Sequence, residues 1–195
     1  MKTWTTKSGY RILRVADLRS NVFLLSRGAR NILVDTGSRW QWGRLETRLR
    51  SLGVEHIDHL ILTHSHYDHA DNARRVKHRY GASVIVHRAE ARFMEGEGMA
   101  VPGGTNAVTR FIVGTVGRAM AARCVETCPC DILVDTIYDL SPFGLNAYVL
   151  PTPGHSPGSM SVVVDEEIAV VGDALFGVFR WSVLPPYAAD LDRTI

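Results

Sequence analysis

The chain has 195 residues, 46% hydrophobic and 22% charged, with 22 Lys and Arg against 20 Asp and Glu for a formal net charge of +2. Those values describe a chain able to bury one sizeable core, and they exclude disorder, which needs fewer apolar residues and more net charge. They argue against a nucleic-acid partner held by basic excess. No stretch reaches the roughly 18 apolar residues of a membrane span, so no membrane partner is expected. Met1–Tyr10 lacks the apolar core of a signal peptide, and three cysteines are an odd count, too few for a disulfide scaffold. A cytoplasmic protein is therefore expected.

The first third reads as strands at Tyr10–Val15, Asn21–Leu25 and Asn31–Val34, apolar runs with β-branched or aromatic members. Asp35-Thr36-Gly37-Ser38 breaks the pattern. A helix is predicted over Trp40–Leu52, where Trp42, Leu45, Leu49 and Leu52 recur at helical spacing, with Gly53 as its stop. Ile57–Thr63 is predicted as a strand buried on both faces, Asp68–Tyr80 as a helix ended by Gly81, and Ala82–His87 as another buried strand. That β-loop-α-β order implies a parallel or mixed sheet covered by helices. Glu95–Thr105 is rich in Gly and Pro and reads as a loop, and Asn106–Arg123 as a helix. Strands return at Ile132–Asp135, Leu145–Leu150, Ser159–Val164 and Ile168–Val171. Ala188–Ile195 reads as the first turn of a helix with Asp190 as its cap. A single domain over residues 1–195 is the simplest organisation.

The chemistry concentrates in Thr63-His64-Ser65-His66-Tyr67-Asp68-His69. It directly follows a buried strand, at the carboxyl end where open α/β sheets place ligands. On extended backbone His64 and His66 point to one side. Imidazoles with a carboxylate suit Zn, or Fe and Mn, better than Mg or Ca. His155 sits in the rigid turn Thr152-Pro153-Gly154-His155-Ser156-Pro157-Gly158, and Asp173 ends an apolar strand after Gly172. Alone, either is an ordinary turn or cap residue. With the histidine string they supply His, His and Asp from three strand ends, as a single or paired metal site requires.

Taken in order, Asp-Thr-Gly, His-x-His-x-Asp-His, Pro-Gly-His-Ser-Pro-Gly and Gly-Asp resemble the metallo-β-lactamase-fold hydrolases, in flavour the glyoxalase II-like branch, from about Val22 to Phe176. The resemblance implies an α/β, four-layer αββα sandwich. It implies that His64, His66 and His155 hold one metal, that Asp68 and His69 hold a second, and that Asp173 bridges the two. It makes Asp35 a carboxylate that orients the ligands from behind; a plain turn cap is the other reading of that residue. Zn is the implied cofactor, as two ions, with Fe or Mn as substitutes.

One departure stands out. The family's second metal takes a further histidine after one more helix and strand, and no histidine follows His155. The chain is therefore expected to be C-terminally truncated, to complete the second site with waters, or to borrow a ligand from a partner chain in a homo-oligomer. The implied activity is hydrolysis of a small-molecule ester, thioester, lactone or similar bond by metal-activated water, which Asp68 also orients. An iron persulfide dioxygenase using a subset such as His64, His155 and Asp173 is the alternative, and a truncated metal binder without turnover is another. Substrate contacts are expected from Glu95–Thr105 and Asn106–Arg123. Tyr67 lines the pocket or packs on the fold. Cys124, Cys128 and Cys130 read as free or packing thiols, and the run from Arg74 to Arg79 as a solvated helix face.

Overall fold

The computed structural model describes residues 2–17, 19–98, 103–121, 125–177 and 183–190, the backbone alone over 116–121. Cys124, Arg123, residues 99–102 of the predicted loop and residues 191–195 of the predicted final helix lie outside the described residues. In chain order the elements are β1 (Thr3–Thr5), β2 (Arg11–Asp17), β3 (Asn21–Arg27), β4 (Arg30–Val34), α1 (Trp42–Ser51), β5 (His59–Ile61), α2 (Tyr67–Ala70), α3 (Ala73–Tyr80), β6 (Ser83–His87) and α4 (Arg88–Met94). There follow β7 (Gly103–Gly104), α5 (Ala107–Ala121), β8 (Ile132–Val134), β9 (Tyr138–Asp139), β10 (Ala147–Pro151), β11 (Met160–Val164), β12 (Ile168–Val170) and β13 (Tyr187–Ala188).

A seven-stranded sheet runs in the order β1-β2-β3-β4-β5-β6-β8, and a four-stranded sheet in the order β12-β11-β10-β9. The large sheet is mixed: β1 to β4 form an antiparallel meander, while β4, β5, β6 and β8 pair in parallel. Alternation along the strands sorts the core into two layers. Leu33, Leu60, Val84 and Val86 face Leu45 and Leu49 of α1, Val76 and Tyr80 of α3 and Met94 of α4. Ile32, Val34, Ile61 and Ile85 face the other way, onto Val149, Met160, Val162 and Val164 of the small sheet. The central strands are thus buried on both faces, which explains their unbroken apolar runs. The architecture is the layered α/β sandwich expected.

Two expectations need correction, and one unassigned stretch acquires a structure. The single helix over Asp68–Tyr80 is two helices, because Thr36 takes the His69 carbonyl through its N–H at 2.7 Å and its hydroxyl at 2.8 Å. That carbonyl would otherwise accept the Ala73 N–H of a continuous helix. Asn72 fills the break, its side-chain amide donating to the carbonyls of Thr36, Gly37 and Ser38. Next, α4 lies in a stretch whose structure the sequence left unassigned. Finally, Ala188 belongs to a strand rather than a helical turn. It pairs with Gly103, and the N–H groups of Ala189 and Asp190 are taken by carbonyls of the His155 turn.

Among smaller features, α3 buries Ala73, Val76 and Tyr80 and turns Arg74, Lys77 and Arg79 outward to Glu126, Asp131 and Glu46. Cys128 packs in the helix-side core and Cys130 is half-buried; both are free thiols. Burial pushes the Cys130 thiol up to about 12.

Candidate metal centre

The site forms where the two sheets share an edge. The turn after β5 delivers His64, His66 and His69, 0%, 7% and 2% exposed. The turn between β10 and β11 delivers His155, and a 3-10 turn (Gly172–Ala174) after β12 delivers Asp173. Gly172 permits this approach: its φ is +54°, and a Cβ there would lie 2.6 Å from Thr63 Oγ1.

Two sets of donor atoms converge: His64, His66 and His155 in one, and His64, His69 and Asp173 in the other. His66 Nδ1 stands 3.0 Å from His64 Nε2 and 3.0 Å from His155 Nε2. Asp173 touches both sets, with one oxygen 3.2 Å from His69 Nε2 and the other 3.6 Å from His155 Nε2.

The outer nitrogens decide what the inner ones present. His155 Nδ1 lies 2.8 Å from the Tyr187 carbonyl, which only accepts, so Nδ1 carries the proton and a neutral ring turns a bare Nε2 inward. His69 Nδ1 lies 2.8 Å from Asp35 Oδ2, so it too carries a proton. His69 Nε2 is then a buried nitrogen with no aligned hydrogen bond, although Asp173 Oδ1 is near. A lone pair facing a carboxylate repels it unless a proton or a metal ion stands between them, and the two carboxylates flanking this ring favour either. That arrangement, and a donor set of imidazoles plus one carboxylate, fit Zn or a similar transition metal.

Protonation follows the same field. Burial, then the neighbouring imidazoles, hold His64 well below its ordinary value and His66 down at about 4. Burial also works against a charged His69, but the Asp173 and Asp35 carboxylates outweigh it and raise that group. Burial would raise Asp173, yet His69 beside it brings it down to about 2.

Asp35 is 1% exposed at φ +62°. Its carboxylate caps no turn of its own. It accepts the Thr63 N–H at 2.8 Å and the His69 Nδ1–H, so it bears directly on a candidate ligand. Asp68 is half-buried on α2, and its carboxylate lies outside both convergent sets while still drawing positive charge toward His66. Of the remaining histidines, His59 packs edge-on against Phe143, His87 caps α4, and neither they nor His56 and His78 join the cluster. Tyr67 packs against the helix-side core, with its hydroxyl on Arg19.

A cleft of about 230 Å³ opens onto His69 and Asp173, walled by Arg19, Phe23, Leu175 and Phe176 among others. Among the described residues, the lining of this cleft includes none of the Gly-rich loop or α5, and Val108 and Phe111 of α5 face solvent. In that loop β7 pairs with β13, whose Tyr187 carbonyl meets His155. Sequence reasoning passed over Glu90, buried beneath the site. The signal was there: a carboxylate three and four residues ahead of Phe93 and Met94 sits on the apolar face of a helix.

The chain belongs to the metallo-beta-lactamase superfamily, whose model matches residues 15–193. It is 27% identical over 166 residues to a probable metallo-hydrolase of Methanocaldococcus jannaschii, covering 84% of this chain and 72% of that one. It is 30% identical over 162 residues to a probable metallo-hydrolase of Streptococcus pyogenes, 80% of this chain but only 62% of that one. Among solved structures it resembles the BLEG-1 B3 metallo-beta-lactamase, with a TM-score of 0.68 at 20% identity, over 95% of this chain and 81% of that one. It also resembles a metallo-beta-lactamase of Cronobacter sakazakii, with a TM-score of 0.62 at 21% identity, over 87% and 62%. At such identities the structural likeness is one of fold. Among the described residues no helix is long and apolar enough to cross a membrane.

Proposed function

We propose that this chain is a metal-dependent hydrolase acting on an ester, thioester, lactone or similar small-molecule bond. The observation that carries the reading is the pair of inward-facing, externally anchored imidazoles, His69 and His155, either side of the Asp173 carboxylate. In this reading His64, His66 and His155 would hold one zinc ion and His69 and Asp173 a second, with Asp68 outside both donor sets. Such ions supply Lewis-acid polarisation and bring the pKa of a bound water to about 7. The chain's own residues do the rest. Asp35 and the Tyr187 carbonyl fix the protonated outer nitrogens of two imidazoles, Asp173 spans both donor sets, and Asp68, whose charge acts on His66, is the carboxylate available to orient a water. Phe23, Leu175 and Phe176 give the cleft apolar walls for the substrate's body.

Metal analysis of protein purified without chelator tests this reading, together with a screen of thioesters, lactones and phosphoesters. At least one equivalent of Zn, Fe or Mn is expected, falling in an Asp173→Ala variant along with turnover. Less than about half an equivalent, unchanged by Asp173→Ala, would refute it. The 3.6 Å approach of His155 to Asp173 keeps a second reading in view, a single iron serving a persulfide dioxygenase. Oxygen uptake with a persulfide substrate, absent from a hydrolase, separates the two.

A further inference from the structure

The candidate ligands come from turns remote in sequence, with His66 and His155 89 positions apart. Between those turns lies a carboxylate that the proposed chemistry does not use. Glu90, on the first turn of α4, is 1% exposed. Its Oε2 accepts the Ser65 N–H at 3.2 Å and the Ser65 hydroxyl. Its Oε1 accepts the Ser156 hydroxyl at 2.8 Å and the Gly158 N–H at 3.0 Å. Ser65 stands between His64 and His66, and Ser156 directly follows His155. Gly158 makes the approach possible, since a Cβ there would lie 2.5 Å from Glu90 Cγ.

A buried carboxylate is costly unless its acceptors are filled, and here every bond it accepts comes from one of the two histidine-bearing turns. We infer that Glu90 is a positioning residue of the metal centre, a strut that holds the His64–His66 turn and the His155 turn at the separation where their imidazoles share one ion. The inference rests on the metal-centre reading above. The strut has a definite chemical requirement. Each oxygen receives one backbone N–H that cannot turn away, so a glutamine in either orientation sets its own NH2 against an N–H. An aspartate keeps the charge but falls short of one turn.

The test uses the full chain in metal-free form. Zn2+ is titrated against a competing chelator, the visible spectrum of added Co2+ is recorded, and thermal unfolding of the metal-free protein is followed in parallel. Wild type taking up no Zn2+ overturns the metal reading, and this inference with it. Where wild type binds, Glu90→Gln is expected to weaken the tightest Zn2+ site by about 10–100-fold, the loss usual for a group that orients ligands. It should also shift the Co2+ bands, and Glu90→Asp should do the same. Ser65→Ala and Ser156→Ala should give smaller losses that add nothing in the Glu90→Gln background. A Glu90→Gln protein that unfolds at lower temperature yet keeps wild-type Zn2+ affinity and Co2+ spectrum overturns the inference, because the residue then supports only the fold. If Glu90→Gln does not fold, the same contrast is read on Ser156→Ala, where wild-type affinity overturns it equally.

Discussion

At His69 the ring is oriented from outside the cluster. Asp35 holds Nδ1 at 2.8 Å and is itself held by the Thr63 N–H and hydroxyl. Asp35→Asn tests that grip. An amide oxygen can still accept from His69, but its NH2 then faces the Thr63 N–H. Metal affinity by chelator competition should fall about 10–100-fold, with a parallel loss of turnover. An unchanged affinity would return Asp35 to the role of a turn residue. The histidine string and Asp173 were legible in the sequence because ligand types at those spacings are rare by chance. Glu90 and the Tyr187 carbonyl were not: one is a lone acid in a helix, and the other is a backbone atom with no identity in sequence.

Elements fail or hold by what their backbone groups can reach. Gly172→Ala places a Cβ 2.6 Å from Thr63 Oγ1 at a φ of +54°. Thr63 is tied to Asp35 and cannot step aside. Denaturant unfolding should show a loss of about 2–4 kcal/mol from left-handed strain and overpacking together. Asp58, just before β5, ties that strand to β4 by accepting the Asn31 N–H at 2.8 Å and pairing with Arg30 at 2.7 Å. Burial works to raise its pKa, but the Asn31 and Arg30 bonds outweigh it and hold it below 3.8. A lowered carboxylate stabilises above its unfolded value and loses that contribution as pH falls through the folded one. Asp58→Asn should therefore cost about 1 kcal/mol at neutral pH: its amide oxygen still accepts the Asn31 N–H, but the charge that strengthens that bond and pairs with the exposed Arg30 is lost. The variant and wild type should converge in acid, as read by urea midpoints across pH; a gap independent of pH would contradict this. The helix break at Asp71–Asn72 belongs to this scale too: local propensity favours continuity, and Thr36, distant in sequence, takes the carbonyl that continuity needs.

Across the whole molecule the candidate ligands straddle two sheets: three imidazoles follow the large sheet's β5, while His155 and Asp173 follow strands of the small one. A bound ion would staple the two halves together, and ligand binding to the folded state alone stabilises by mass action. Metal at 100 times its Kd should add about 2.7 kcal/mol, seen as a raised unfolding temperature that chelator reverses. His155→Ala should shrink that shift, since the set of His64, His69 and Asp173 remains, while leaving the metal-free protein folded, because the inter-sheet core around Val149, Met160 and Val162 does not depend on it.

While the four-layer arrangement came only through the family resemblance, the sequence by itself determined a parallel or mixed sheet covered by helices, the buried central strands, the basic solvated face of α3 and the residues competent to bind metal. These follow from periodicity and residue chemistry, which are local properties. Tertiary structure alone decided how the donors divide into two sets, which imidazole nitrogens turn inward, and that Asp68 stands outside both sets while Glu90 spans the turns. Those outcomes depend on where a carbonyl, a carboxylate or an N–H from a distant segment arrives, and a hydrogen bond's worth is set by that meeting rather than by either residue's type.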